Sequence, residues 1–180
     1  MTKKVCMLLA DGFEDIEAAG TFAILRRCGL IVDLYALSGK NTTGKFGLVC
    51  AGLRDFDSLQ VDAYDAVVLP GGPGYNTLEK NEKVQQLIHN YLQNDKVVAA
   101  ICASPTILGK KGYLKGKNYT CFTAMNEDFG GHFLDQYAVT DGNIITGQSA
   151  AAAIDFGFAI AEKLVGKEIV EKTKKTVYYK

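Results

Sequence analysis

Val97-Val98-Ala99-Ala100-Ile101-Cys102-Ala103-Ser104-Pro105-Thr106 runs an apolar stretch into a thiol, with a proline three residues beyond it. A short apolar run of this kind is a buried strand, and proline suits the first turn of a helix, where its missing N–H is not needed. The segment therefore predicts a strand that turns abruptly into a helix at Cys102. Such an elbow requires a positive φ at the cysteine, a strain of about 1 to 3 kcal/mol. It holds the side chain at the strand's C-terminal end, with the free N–H groups of the new helix directed back at it. A thiol so placed is drawn toward thiolate, away from its ordinary pKa of roughly 8.5. The turn also offers N–H groups to a developing oxyanion. Cys102 thus reads as the cysteine form of a nucleophile elbow; the other reading is a buried structural cysteine, a common fate for this residue type.

Outward from the elbow, short apolar runs alternate with helical patterns. Val5 to Leu9 is followed by a helix from about Asp15 to Cys28 and a strand from Ile31 to Ala36. Asp65 to Leu69 is a third strand, and Val84, Leu87, Ile88, Tyr91 and Leu92 mark one face of a helix from Glu82 to Gln93. This is the rhythm of a parallel α/β sheet. Beyond Cys102 the pattern loosens into strands near Tyr119 to Phe122, Tyr137 to Thr140 and Asn143 to Thr146, the last two joined by the hairpin signal Asp141-Gly142. Ser149 then caps a helix that runs to Val165 and stops at Gly166.

The length of 180 residues fits one domain, 1–180, large enough to bury a core. Its 20 basic and 20 acidic side chains cancel, which gives no sign of a nucleic-acid partner. No stretch reaches membrane-spanning length, and the first apolar run is too short for a secretory core. Five cysteines, odd in number and without CxxC or zinc spacing, argue for reduced thiols and a cytoplasmic location.

Ligands of doubly wound sheets bind beyond the carboxyl ends of the strands. The loop Leu69-Pro70-Gly71-Gly72-Pro73-Gly74 lies at one such end. It lacks the Lys-Ser/Thr of a P-loop, and several residues separate it from its helix, so phosphate binding is disfavoured. It reads either as a tight turn whose bare backbone, at Gly71 and Gly72, approaches Cys102 and donates N–H groups, or as a turn and nothing more. Glu17 is the only ionisable group between Ile16 and Leu25, and an unpaired buried carboxylate costs several kcal/mol unless protonated or bonded. Its helix follows the first strand, so it reaches the same sheet end as Cys102. The useful pairing is a neutral acid beside an anionic sulfur; the alternative is a glutamate on the helix's wet edge. Glu14 and Asp15 read as first-turn acids. Of the two histidines, His89 lies on a polar helix face, while His132, among acids and glycines, is an accessory candidate for the site. Ligand count and spacing give no metal site.

Ala10-Asp11-Gly12-Phe13-Glu14-Asp15-Ile16-Glu17, Arg26-Arg27-Cys28-Gly29, the stretch from Tyr64 to Gly72, Ala99 to Pro105, Gly130-Gly131-His132 and Leu164 to Glu168 jointly resemble the ThiJ/PfpI superfamily, over essentially the whole chain. Within it they resemble the branch of the parkinsonism-linked protein deglycase. The resemblance implies a flavodoxin-like three-layer sandwich with a mostly parallel central sheet and a Cys nucleophile elbow, usually as a homodimer. It implies Cys102 as the elbow cysteine, Glu17 as the carboxylate bonded to it, Gly72 and Ala103 as oxyanion-hole amides, and Cys50 as a cysteine near the dimer interface. The activity implied is cofactor-free chemistry on small reactive carbonyls, of glyoxalase or deglycase type. A redox sensor or chaperone-like interaction protein acting through a Cys102 sulfinate is the alternative. The peptidase branch carries a histidine where Ala103 stands, so peptidase activity is less expected. A histidine of the deglycase branch is missing from Thr120 to Thr123, where Phe122 is found. Ser104 replaces a common glycine and is expected to narrow the pocket.

Overall fold

The computed structural model describes residues 2–180. In chain order the strands are β1 (Lys4–Leu9), β2 (Ile31–Ala36), β3 (Thr42–Thr43), β4 (Val49–Cys50), β5 (Arg54–Asp55), β6 (Ala66–Leu69), β7 (Val97–Ile101), β8 (Asn118–Tyr119), β9 (His132–Phe133), β10 (Ala138–Asp141) and β11 (Ile144–Gly147). The helices are α1 (Asp15–Arg27), α2 (Tyr75–Lys80), α3 (Glu82–Gln93), α4 (Pro105–Lys110), α5 (Ala153–Val165) and α6 (Lys167–Thr176). Seven strands form the central sheet in the order β10-β11-β7-β6-β1-β2-β5, parallel except for the β10–β11 hairpin.

Period-two alternation decides which layer each strand residue joins. Val5, Met7 and Leu9 face a core shared with α1, α5 and α6, while Cys6, Leu8 and Ala10 face one shared with α2, α3 and α4. Both faces of β1, β6 and β7 are therefore covered, which is why these strands read as unbroken apolar runs. Burial of each large side chain such as Met7, Leu8 or Leu69 contributes about 1.5 to 3 kcal/mol.

Several expectations need correction. A helix, α2, starts at Tyr75 immediately after the glycine-rich loop rather than several residues on. Its six residues are too few to show a period. Strand β8 ends at Tyr119, leaving Phe122 in an irregular segment. Ser149 precedes a short 3-10 turn, Ala150–Ala152, before α5, and its side chain makes no capping bond. Among the described residues no helix is long and apolar enough to cross a membrane.

Candidate active site

The ends of β1, β6 and β7 converge on the thiol. Cys102 directly follows β7 with φ 63°, in the left-handed region that a non-glycine residue enters only when its surroundings hold it there. Those surroundings are visible. The Cys102 N–H donates to Gly147 O at 2.9 Å, and the Cys102 carbonyl accepts from the Phe122 N–H at 2.8 Å. Ser104 Oγ donates to Pro70 O at 2.6 Å, tying the elbow to the end of β6. Ser104 is thus fully buried and does not narrow the pocket, contrary to expectation.

Glu17 reaches the same place from the first turn of α1. Glu14 caps that helix by accepting from the Glu17 N–H at 2.8 Å. Asp15 does more than complement the helix dipole: its carboxylate accepts from the Phe46 N–H at 2.9 Å and the Leu48 N–H at 2.8 Å, which fixes the loop between β3 and β4. The Glu17 side chain is 0 % exposed. Its Oε2 accepts from the Gly71 N–H at 2.8 Å, whereas its buried Oε1 has no hydrogen-bond partner. Cys102 is the carboxyl's neighbour across Gly71, and its thiol acts to lower the Glu17 pKa against the larger effect of burial. The Gly71 amide therefore serves Glu17 rather than an oxyanion. A Cβ on Gly71 would sit 2.6 Å from Cys102 Cβ and 2.8 Å from Glu17 Oε2, so only glycine lets these two side chains meet. Gly72, at φ 75°, turns the loop so that its backbone lines the cavity beside Cys102 and favours the ionised sulfur.

The acidity expected of the thiol does not come from the helix. Helix α4 has only six residues, and the backbone group that favours the ionised sulfur is that of Gly72. Burial first, and then the charge of Glu17, push the Cys102 thiol up to about 12. Burial likewise raises the Glu17 carboxyl from its ordinary 4.5 to about 7. The Coulombic contribution to the thiol is present only while Glu17 is ionised. With the proton on Glu17 the same carboxyl becomes a donor to sulfur and acts in the opposite direction.

A cavity of about 500 Å³ opens above the sulfur, lined by Cys102, Glu17, Gly72 and Ala103 among others. The Ala103 N–H makes no backbone hydrogen bond among the described residues and stands free at its floor. His132 does not reach this cavity. It lies exposed in β9, paired in register with Asn118 of β8. His89 is also exposed, and its ring bonds the Tyr113 hydroxyl at 3.0 Å. No histidine lines the cavity, and Phe122 does. Cys50 is half-buried in β4, beside the exposed side chains of Leu48 and Val49. Among the described residues no group of three or more histidine, cysteine, aspartate or glutamate side chains could hold a metal ion.

Ser149 is the site residue that sequence reading misplaced. Freed from helix capping and held extended at φ −169°, it lines the cavity with Cys102, where its side chain favours the ionised sulfur. The pairing of β11 with β7 carries it there. Ser149→Ala should raise the midpoint of thiolate formation by about one pH unit, the size of one hydrogen bond to a charged group, and Ser149→Thr should restore it. An unchanged midpoint in the alanine variant would show that the hydroxyl does not act on the sulfur.

Comparison with known proteins sets this geometry in a lineage. The chain is 35% identical over 181 residues to the protein dj-1beta of Drosophila melanogaster, covering 97% of this chain and 96% of the relative. It is 34% identical over 146 residues to the deglycase TK1284 of Thermococcus kodakarensis, covering 79% and 88% respectively. The crystal structure of Drosophila melanogaster DJ-1beta superposes with a TM-score of 0.92 at 31% identity, covering 100% of both chains. With the DJ-1/PfpI family profile matching residues 3–163, a span that holds the elbow, its carboxyl partner and Ser149, the chain belongs to the DJ-1/PfpI family.

Proposed function

We propose that the protein is a cofactor-free cysteine enzyme of small reactive carbonyls, of glyoxalase or deglycase type, with Cys102 as nucleophile and Glu17 as proton carrier. One observation carries this reading: Glu17 is wholly buried beside Cys102, and one of its carboxyl oxygens, Oε1, has no hydrogen-bond partner. An anionic carboxylate with an unpartnered oxygen there costs several kcal/mol, whereas a protonated carboxyl avoids that cost and has a proton to offer the neighbouring sulfur. The Gly72 backbone and the Ser149 side chain, both lining the same cavity as the sulfur, favour its ionised form. In this reading the proton shared by the pair sits on Glu17 when the thiolate attacks. Family membership and the deglycase among its relatives support the carbonyl class.

On an α-oxoaldehyde the thiolate adds to the aldehyde carbon. The C–S bond forms as the carbonyl π pair moves onto oxygen, where the Gly72 and Ala103 amides and then the Glu17 proton meet it. The Glu17 carboxylate next takes the hydrogen from that carbon as a proton and returns it to the neighbouring carbonyl carbon, while the hydroxyl proton on the first carbon's oxygen passes to the second carbon's oxygen, leaving a thioester beside a new hydroxyl. The first carbon is oxidised and the second reduced within one molecule, so no external redox partner enters. Water cleaves the thioester to the 2-hydroxy acid and regenerates the thiol. The test is lactate formation from methylglyoxal by the purified protein. Absence of lactate from a folded wild-type chain would end the reading.

A further inference from the structure

The cavity above Cys102 exceeds what a three-carbon carbonyl needs. A dry cavity of about 150 Å³ already holds a benzene ring, and this one measures about 500 Å³. Its composition is as informative as its size. Phe46, Pro73, Tyr75, Phe122 and Met125 supply apolar wall, and the charged groups at the cavity are Glu14, Glu17 and Lys45. Phe122 is tied to the elbow itself, because its N–H donates to the Cys102 carbonyl at 2.8 Å, which carries its side chain beside the elbow. The residue remains 42 % exposed, so it offers apolar surface that a ligand would cover. It also stands in a cavity lined by no histidine, where a polar wall would have favoured small hydrophilic carbonyls.

We infer that the preferred substrate is an α-oxoaldehyde whose second substituent is an aromatic or similarly bulky apolar group, and that Phe122, with Met125, selects it. The inference rests on the carbonyl reading for the reacting end and on the cavity for the rest of the molecule. Placing the aldehyde carbon at the sulfur leaves the substituent to fill the space bounded by Phe122 and Met125. Each buried aromatic face removes apolar area from water, in proportion to the area covered. Phe122 and Met125 act on binding and not on proton transfer, so their loss is read chiefly in KM.

Two measurements separate this inference from the reaction on which it rests. The first compares kcat/KM for phenylglyoxal and methylglyoxal. The expected preference for phenylglyoxal is at least tenfold, reduced about fivefold or more by Phe122→Ala through KM. The second needs no turnover: benzoylformate and pyruvate, which share an α-oxo acid head, are compared as protectants of Cys102 against iodoacetamide, read by mass spectrometry. Benzoylformate should protect the wild type at a concentration at least tenfold lower, and the margin should shrink in Phe122→Ala and in Met125→Ala, the latter serving alone if the former does not fold. Selective protection without turnover would overturn the proposed reaction and leave the aromatic pocket standing. Equal protection by the two acids, or a preference unchanged in the variants, would overturn the pocket assignment.

Discussion

Cys102→Ser lowers lactate formation from methylglyoxal by at least about a thousandfold, the loss usual for removal of a covalent nucleophile. Serine has nearly the volume of cysteine and meets the same positive φ, so the elbow and its bonds to Gly147 and Phe122 are retained. What disappears is an atom able to carry negative charge at neutral pH, since the hydroxyl lacks the polarisability and acidity of a thiol. The melting temperature should therefore stay within a few degrees of the wild type. Residual activity above about a tenth of the wild type, measured by lactate production after enzyme titration, would show that the carbonyl chemistry runs elsewhere.

Glu17→Gln should reveal a pH-dependent destabilisation that the wild type carries for the sake of its site. The Glu17 carboxyl is raised from 4.5 to about 7 by burial, so folding favours the protonated form. A raised carboxyl contributes its stability fully below the ordinary carboxyl range and loses it as pH climbs through the folded value. The wild type thus weakens between about pH 4.5 and pH 7, by about 3 kcal/mol, because each pH unit that separates the folded from the unfolded carboxyl is worth about 1.36 kcal/mol. Glutamine, neutral throughout, keeps an oxygen for the Gly71 N–H and shows no such loss. The sign holds whichever of the pair releases the first proton, because the unfolded glutamate has already lost its own. Urea denaturation at pH 4.5 and pH 7.5 measures the difference, and parallel pH profiles for the two proteins would contradict it.

How much of this was legible in the sequence depends on whether the determining interaction is local. The strands Ile31–Ala36 and Val97–Ile101 and the helix Glu82–Gln93 follow from apolar runs and periodicity, which the chain writes into consecutive residues. The elbow was readable for the same reason: apolar run, thiol and proline lie within ten positions, and the positive φ at Cys102 is what that join demands. Glu17 could be singled out because a lone acid in an apolar helix is a local anomaly. Ser149 could not, since nothing near it in sequence distinguishes a serine that caps a helix from one that the β7–β11 pairing carries to a distant sulfur. His132 failed for the converse reason. Its glycine-rich surroundings resemble a site loop, yet the short β8–β9 pairing holds it on the surface. Asp15 was assigned to the helix dipole, and its clamp on the Phe46 and Leu48 amides depends on a loop about thirty residues away, a long-range contact that pattern reading does not reach.

The central claim is that Glu17 is the neutral partner of an anionic Cys102 sulfur. Thiolate absorbance near 240 nm, followed against pH in the wild type, Glu17→Gln and Glu17→Ala, tests it through the sign of the coupling. If Glu17 donates to the thiolate, glutamine keeps a weaker donor and raises the midpoint modestly, and alanine raises it further. If Glu17 is ionised beside a neutral thiol, both substitutions remove repulsion and lower the midpoint. A rising order from wild type through glutamine to alanine is the predicted result, and a lower midpoint in Glu17→Gln would contradict the account.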